Sequence, residues 1–406
     1  MVILFEKKED CSACGACKSI CPMQAISMQP DEYGFLYPAI QTDRCIACHK
    51  CINACRFGCK EDKKSVRDAY AAATKNEKAI RRSASGGVFS ALAQKFLEDN
   101  GAVYGAAMIQ QENELCTKHI RVDDVDQLRL LQGSKYVQSN TDDSYVLVKQ
   151  DLVDGKPVLF SGTPCQIVGL KGYLGKEYQN LCTVDIICHG VPSSRFFNAY
   201  LSRLNQKYKG QVRDFLFRDK SKGWGLHAKY EYINKRGRKK AKSIPAETSS
   251  YFDMFLKAEI YRENCYVCPY ASRERVGDIT LGDYWGVQRE HPEIMRDAGG
   301  PCSENDGISC VLVNTEKGQN ILNRIADDIH LFASTINKIA NENGQLSAPG
   351  DKPQTREMIL HMYHKQGYGQ VDQYFKKRTG LKIHYYHLKS LLPRSFKKKI
   401  KNLLRK

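Results

Sequence analysis

The chain has 406 residues and a formal net charge of +17, long enough for a small module plus one or two domains with hydrophobic cores of their own. Its 17 cysteines would suit a disulfide-stapled secreted protein, but VILFEKKEDC runs straight into a cysteine motif with no apolar leader, so reduced thiols in a cytoplasmic setting are expected. No stretch approaches the ~20 consecutive apolar residues of a spanning helix, so no bilayer crossing is expected.

Residues 11 to 22 read CSACGACKSICP and residues 45 to 55 read CIACHKCINAC, two runs with the C-x2-C-x2-C-x3-C spacing of bacterial ferredoxins. In such modules three cysteines of a run hold one [4Fe–4S] cubane and the fourth crosses to the other. Cys11, Cys14, Cys17 and Cys55 are therefore expected around one cluster, and Cys45, Cys48, Cys51 and Cys21 around the second. Ala13, Gly15, Ala16 and Ala47 are small enough to let the backbone wrap close. The first run ends in Cys21-Pro22 and the second in Cys55-Arg56; the missing proline removes no ligand. Zinc knuckles could use the same thiolates, but two matched runs favour cubanes. The module, residues 1–60, is too small to fold well without metal, and Cys59 is not needed as a ligand.

Residues 61–82 are charged and alanine-rich, which reads as a helical or irregular linker. RRSASGGVFSALAQKFLEDNGAVYGAAMI then predicts a Ser-Gly-Gly turn, a helix from about Gly87 to Asp99, and a strand after Gly101. Free amides at such a helix start favour a phosphate, although many helices open with Ser-Gly for capping alone. Two segments, KPVLFSGTPCQIVGLKGYL and LCTVDIICHGVPSSRFFNAYL, share one plan: a buried strand (Val158 to Phe160; Val184 to Ile187), a turn with a cysteine, then a helix. Cys165 and Cys188 would thus occupy neighbouring strand ends, and Cys265 and Cys268 follow in a C-x2-C-P setting. A third cubane, a zinc site or isolated buried thiols all fit that spacing. Cys116, Cys182, Cys302 and Cys310 read as packing residues.

No GxGxxG after a strand and no GxxxxGK[ST] occurs, so neither a Rossmann dinucleotide site nor a P-loop is supported. The expected fold is an α+β ferredoxin-like two-cluster module followed by a mixed-sheet, non-Rossmann α/β domain over 83–330 and a helical region over 331–406. The last segment, KIHYYHLKSLLPRSFKKKIKNLLRK, carries no acid and repeats apolar residues near helical spacing, with Pro393 interrupting. It fits an anionic lipid surface at the inner face of a membrane, an acidic partner, or a solvated terminal helix. With no nucleic-acid module in the chain, nucleic acid ranks last.

The blocks SASGGVFSALA, GSKYVQS, SGTPCQIVGLK, ICHGVPS and CYVCPYA…GDITLGDYWG, spread over roughly residues 60 to 315, resemble the beta subunit of coenzyme F420-reducing hydrogenases and formate dehydrogenases. That family also resembles the source of the fold in 7-hydroxymethyl chlorophyll a reductase. The resemblance implies a flavin-binding domain that holds FAD and a third [4Fe–4S] cluster. It makes Ser83, Ser85, Gly86, Gly87 and Val88 an FAD phosphate site, with Lys135, Tyr136 and Gln138 lining the flavin and Lys135 stabilising negative charge on the reduced ring. Cys165, Cys188, Cys265 and Cys268 become the third ligand set, and Asp278, Asp283 and Trp285 lie where the family's GD-x-x-x-GD-x-W block closes the site. His189 could move a proton to or from flavin or substrate; a hydrogen-bonded structural histidine is the competing reading. The implied function is an iron–sulfur flavoprotein oxidoreductase exchanging electrons between a small molecule, coenzyme F420 or another hydride donor or acceptor, and one-electron clusters that serve a redox partner. The alternatives are a non-catalytic electron-transfer subunit serving a separate enzyme and a cluster-based redox sensor.

Overall fold

The computed structural model describes residues 2–59, 63–112 and 114–391. The amino-terminal module pairs β1 (Ile26–Pro30) with β2 (Leu36–Ile40) antiparallel, and each cysteine run turns into a short helix, Ala16–Ile20 and Lys50–Asn53. The two runs repeat one backbone. Ala13 and Ala47 have φ of 53° and 50°, and Gly15 and His49 have φ of 85° and 57°, so matched left-handed residues fold both runs inward on their cysteines.

The remaining strands are β3 (Asp68–Thr74), β4 (Ala102–Gln111), β5 (Glu114–Val122), β6 (Val158–Gly162), β7 (Leu181–Ile186), β8 (Gly210–Leu216), β9 (His227–Asn234), β10 (Lys239–Pro245), β11 (Ile279–Asp283), β12 (Ser309–Val313) and β13 (Ile329–Ser334). Eight of them form one sheet in the order β13-β3-β12-β11-β7-β6-β4-β5, and β10-β9-β8 form a separate antiparallel sheet. The neighbouring strands β11, β7, β6 and β4 run parallel and are buried over most of their length, and antiparallel strands extend both sides. The fold is thus mixed α/β with a large mixed sheet behind a ferredoxin-type module.

The expected linker at 61–82 is not one. Asp68–Thr74 is an inner strand of the large sheet, and Glu77–Arg82 is a helix capped by Asn76, whose side chain accepts from the amides of Lys78 and Ala79. Alanine favours helices in isolation, and here burial overrides that preference. Ala71, Ala72 and Ala73 are buried, and the Ser-Gly-Gly turn lies directly on this strand, where a Cβ on Gly86 would run into the Ala72 carbonyl oxygen. The expected break at 330 fails too, since β13 crosses it as a sheet edge. The helices Thr355–Gln366 and Tyr368–Thr379 share an aromatic core with the middle of the chain, where Phe196 packs against Tyr363 and Tyr368. Phe35 and Tyr37 of the cysteine module are buried in the same core, so the module is docked along its length rather than tethered.

Helix Pro164–Leu174 mediates the closest approach between module and sheet. A Cβ on Gly169 would lie 2.8 Å from the Cys14 sulfur, and one on Gly172 would lie 2.1 Å from the Ala54 carbonyl oxygen. Two glycines one turn apart thus let both cysteine runs lie directly on this helix, Gly169 against the first and Gly172 against the second.

Candidate functional site

The carboxyl ends of β6, β7 and β11 converge on a cavity of about 380 Å³, the position and size at which α/β sheets bind small molecules (roughly 300–1,000 Å³). Ser83, Ser85, Gly87, Val88, Lys135, Tyr136, Gln138, His189, Asp283 and Trp285 all line it. Gly86 does not: it faces the sheet, and its carbonyl accepts from the Thr74 amide at 2.7 Å. Asp278 is a structural bolt away from the cavity, accepting from the Thr183 amide and hydroxyl and the Thr315 hydroxyl.

The helix Val88–Glu98 opens on Gly87 at φ 79° with no side-chain cap, so its first amides are left for another acceptor. The serines beside it are partly spent: Ser85 Oγ donates to Ile308 at 2.8 Å, and Ser83 Oγ to Ala79 at 2.8 Å. Lys135 Nζ donates to the carbonyls of Leu130 and Gln132 at 3.0 and 2.9 Å, and burial lowers its ammonium to about 7. His189 reaches the cavity with its imidazole held below the ordinary value by desolvation, Asp283 acting to raise it and Arg218 to lower it.

Three residues the sequence reading missed organise this wall. Arg218 forks onto Asp283, donates to the Tyr136 hydroxyl at 3.0 Å and lies 5.3 Å from the Trp285 ring centre. Lys220 donates to the carbonyls of Ile80, Ser85 and Asp306, fixing the Ser-Gly-Gly turn from behind. His119 is neutral: its Nε2 faces the Ser161 carbonyl, which can only accept, so Nδ1 accepts from Ser139, and burial lowers the imidazole to about 4. RDKSKGWG carries no motif, and only the tertiary contacts mark Arg218 and Lys220.

The cysteines assemble in three groups. The charges of Cys11 and Cys55 bear on Cys14 and Cys17, those of Cys21 and Cys48 bear on Cys51, and Cys21, Cys45, Cys48 and Cys51 line one small hollow. The structure thus brings Cys55 near the first run and Cys21 near the second, with Cys165 also bearing on Cys14. In the third group Cys188 feels Cys265, Cys165 and Cys268. Burial raises Cys14 and Cys265 to about 12 and Cys165 to about 11, so these thiols would bind as thiolates only with compensating positive charge, as cluster iron provides. Among the described residues no group of three or more His, Cys, Asp or Glu side chains is set to hold a single metal ion.

The ligand loops are held from several sides. Buried Arg275 donates to the carbonyls of Tyr270, Ser272 and Ile186 and pairs with Asp185, whose other oxygen accepts from the amides of Val276 and Gly277, fixing the Cys265–Cys268 loop under the end of β7. Gln138 spends its side-chain amide on the Ser12 carbonyl at 3.1 Å, and Thr141 donates to the Cys14 carbonyl at 2.9 Å. The GSKYVQS loop therefore faces the cavity on one side and grips the first cysteine run on the other.

A cysteine-rich module docked on a mixed α/β domain, with grouped thiols beside a small-molecule cavity, defines an iron–sulfur protein of oxidoreductase type. Residues 69–144 and 155–338 match the models for the N-terminal and C-terminal parts of the coenzyme F420 hydrogenase/dehydrogenase beta subunit, and residues 10–59 match a 4Fe-4S dicluster domain. The chain belongs to the coenzyme F420 hydrogenase/dehydrogenase beta-subunit family and carries a 4Fe-4S-binding module in front of it. Over 48 residues it is 44% identical to the polyferredoxin protein MvhB of Methanothermus fervidus, covering 12% of this chain and 10% of that one, so it spans about a tenth of that relative's length. Among solved structures it resembles a chain of the F420-reducing [NiFe] hydrogenase complex of Methanosarcina barkeri, at 16% identity and a TM-score of 0.42, over 74% of this chain and 93% of that one. Among the described residues no helix is long and apolar enough to cross a membrane.

Proposed function

We propose that this chain is an FAD-dependent iron–sulfur oxidoreductase with three [4Fe–4S] clusters, exchanging electrons between a small hydride donor or acceptor, coenzyme F420 or another molecule, and a redox partner protein. The reading is carried by one observation: the cavity is walled by Cys165 and Cys188 and also by Gln138 and Ser12, so a single space borders both the α/β cysteine group and the first ferredoxin loop. Bound there, FAD would supply the exchange between two-electron and one-electron chemistry that iron–sulfur clusters alone lack.

The residues present fit such a group. The uncapped amides after Gly87 suit a pyrophosphate, with Lys220 keeping that turn in place from behind. Lys135, lowered to about 7, can hold or release a proton at its Nζ near neutrality and complement negative charge in the cavity. His189 is a second proton carrier, kept neutral by its surroundings. Trp285 and Arg218 line the cavity, and Trp224 stacks on Trp285 at 4.6 Å, so the Trp285 ring is held as a flat surface against which a ring could lie. Cys165, Cys188, Cys265 and Cys268 would hold the third cluster, and the basic tail would rest on an anionic membrane surface.

Iron, sulfide and flavin analysis of protein purified without oxygen tests this. About twelve irons and one FAD per chain are expected. About eight irons and no flavin, after reconstitution with FAD, would reduce the chain to a non-catalytic electron relay for a separate enzyme.

A further inference from the structure

Arg262 is fully buried, and its Nε donates to the Cys11 carbonyl at 3.0 Å. Among the described residues Nη1 and Nη2 meet no well-formed hydrogen-bond partner, the Cys11 thiol being the acceptor within reach of the guanidinium. A guanidinium stays protonated and carries five donors, so leaving two nitrogens dry and unpaired is strongly unfavourable. The Tyr37 ring covers one face, its centre 4.0 Å from the guanidinium carbon. The ring accounts for a face of the cation, not for its in-plane donors.

The thiols on which this charge bears belong to two groups: Cys11 of the amino-terminal module, and Cys165 and Cys265 of the α/β domain. The backbone of Arg262 is fixed among the same loops. Its amide donates to Val191, just past Cys188, and its carbonyl accepts from the Cys265 amide, both at 3.0 Å.

We propose that Arg262 is a cationic bridge shared by two metal centres, the one held by Cys11, Cys14, Cys17 and Cys55 and the one held by Cys165, Cys188, Cys265 and Cys268. This rests on the third-cluster assignment proposed above. With clusters bound, its two Nη groups would be available to donate to the sulfur of both centres, and its charge would offset their thiolates. An electron passing between them would oxidise one centre and reduce the other, moving one negative charge from the first to the second. Arg262 would face that charge in either position, so it would raise both reduction potentials together. It is a positioning residue, since the electron never resides on it.

The test is an EPR-monitored redox titration of the full chain, reconstituted without oxygen, comparing the native residue with Arg262→Gln and Arg262→Lys. Both midpoint potentials are expected to fall in Arg262→Gln at unchanged iron content, and Arg262→Lys should recover most of that fall by restoring the charge. A fall at one centre only, or at neither, overturns the bridge. If Arg262→Gln loses iron, Arg262→Lys decides: regained iron and near-native potentials support the charge role, and equal loss in both variants overturns it in favour of packing. Cys165→Ser separates this from the underlying assignment. If that variant keeps all its iron and EPR signals, the third cluster does not exist and the bridge falls with it. If it loses about four irons while neither potential responds to Arg262→Gln, the bridge alone is wrong.

Discussion

Arg218 and Asp283 form a two-pronged ion pair in the cavity wall, Nη1 to Oδ2 at 2.8 Å and Nη2 to Oδ1 at 3.2 Å, with the arginine side chain 1% exposed. The pair joins the loop after β8 to the end of β11. Asp283 also accepts from Trp224 Nε1 at 2.8 Å, so one carboxylate orients the arginine and one of the two stacked tryptophans.

Arg218→Ala should therefore loosen the wall. It leaves Asp283 part-buried without its fork and frees the Tyr136 hydroxyl, at a cost on the order of 3 kcal/mol in unfolding free energy. Denaturant unfolding with the clusters intact checks the cost. FAD retention on a desalting column should drop in parallel, whereas native retention would mean that this wall does not contact the cofactor.

Lys135 gives the protein a distinct pH response. The unfolded chain keeps this proton up to about 10.5 and the folded chain releases it near 7, so between those values the unfolded state binds more protons. Stability from this group therefore rises with pH through that window and is level below it. Lys135→Met should flatten the rise and stabilise the protein at neutral pH. Denaturation midpoints measured at several pH values decide it, and an unchanged slope in the variant would locate the response elsewhere, with Lys220, lowered to about 7 by burial, next to be tested.

Gly172→Val should separate the module from the domain. The new side chain would meet the Ala54 carbonyl and the Arg56 side chain, forcing apart the helix and the second cysteine run at a cost of roughly 1–3 kcal/mol. Limited proteolysis should release the amino-terminal module sooner than in the native protein. Equal protection would show that the Phe35 and Tyr37 contacts hold it alone.

Ending the chain after Gly380 should leave iron and flavin unchanged and weaken sedimentation with anionic vesicles. The helix Lys382–Leu391 already shows why: Leu381, Tyr385 and Leu388, at helical spacing, are 85%, 59% and 66% exposed. Vesicle binding that survives the truncation would exclude the tail as the anchor. The expectation for Pro393 and the basic residues beyond it lies outside the described residues.

Much of the site was legible in the sequence because its chemistry is local. Three thiolates of a cubane come from one short run, so spacing alone announces the ferredoxin-type module that residues 10–59 match. The strand-turn-cysteine repeats at Cys165 and Cys188 were readable for the same reason: four or five apolar residues and a small turn define a buried parallel strand end. The family blocks pointed to Ser83, Ser85, Lys135 and Asp283, all of which line one cavity.

Other features had no local signature. The alanines of β3 read as a linker because composition reports helix preference, whereas pairing with β12 and β13, more than 230 residues away in sequence, makes them an inner strand. Gln138 was read as a flavin contact, and the fold turns its amide onto Ser12, 126 residues away. Arg218, Lys220 and Arg262 belong to no motif, because a buried cation is selected by the carbonyls, carboxylate or thiols that long-range folding gathers around it. Cysteine spacing is local and marks candidate iron-binding thiols in the linear chain; which charges face those thiols is set only when the chain packs, because burial, unlike spacing, is a property of the whole folded molecule.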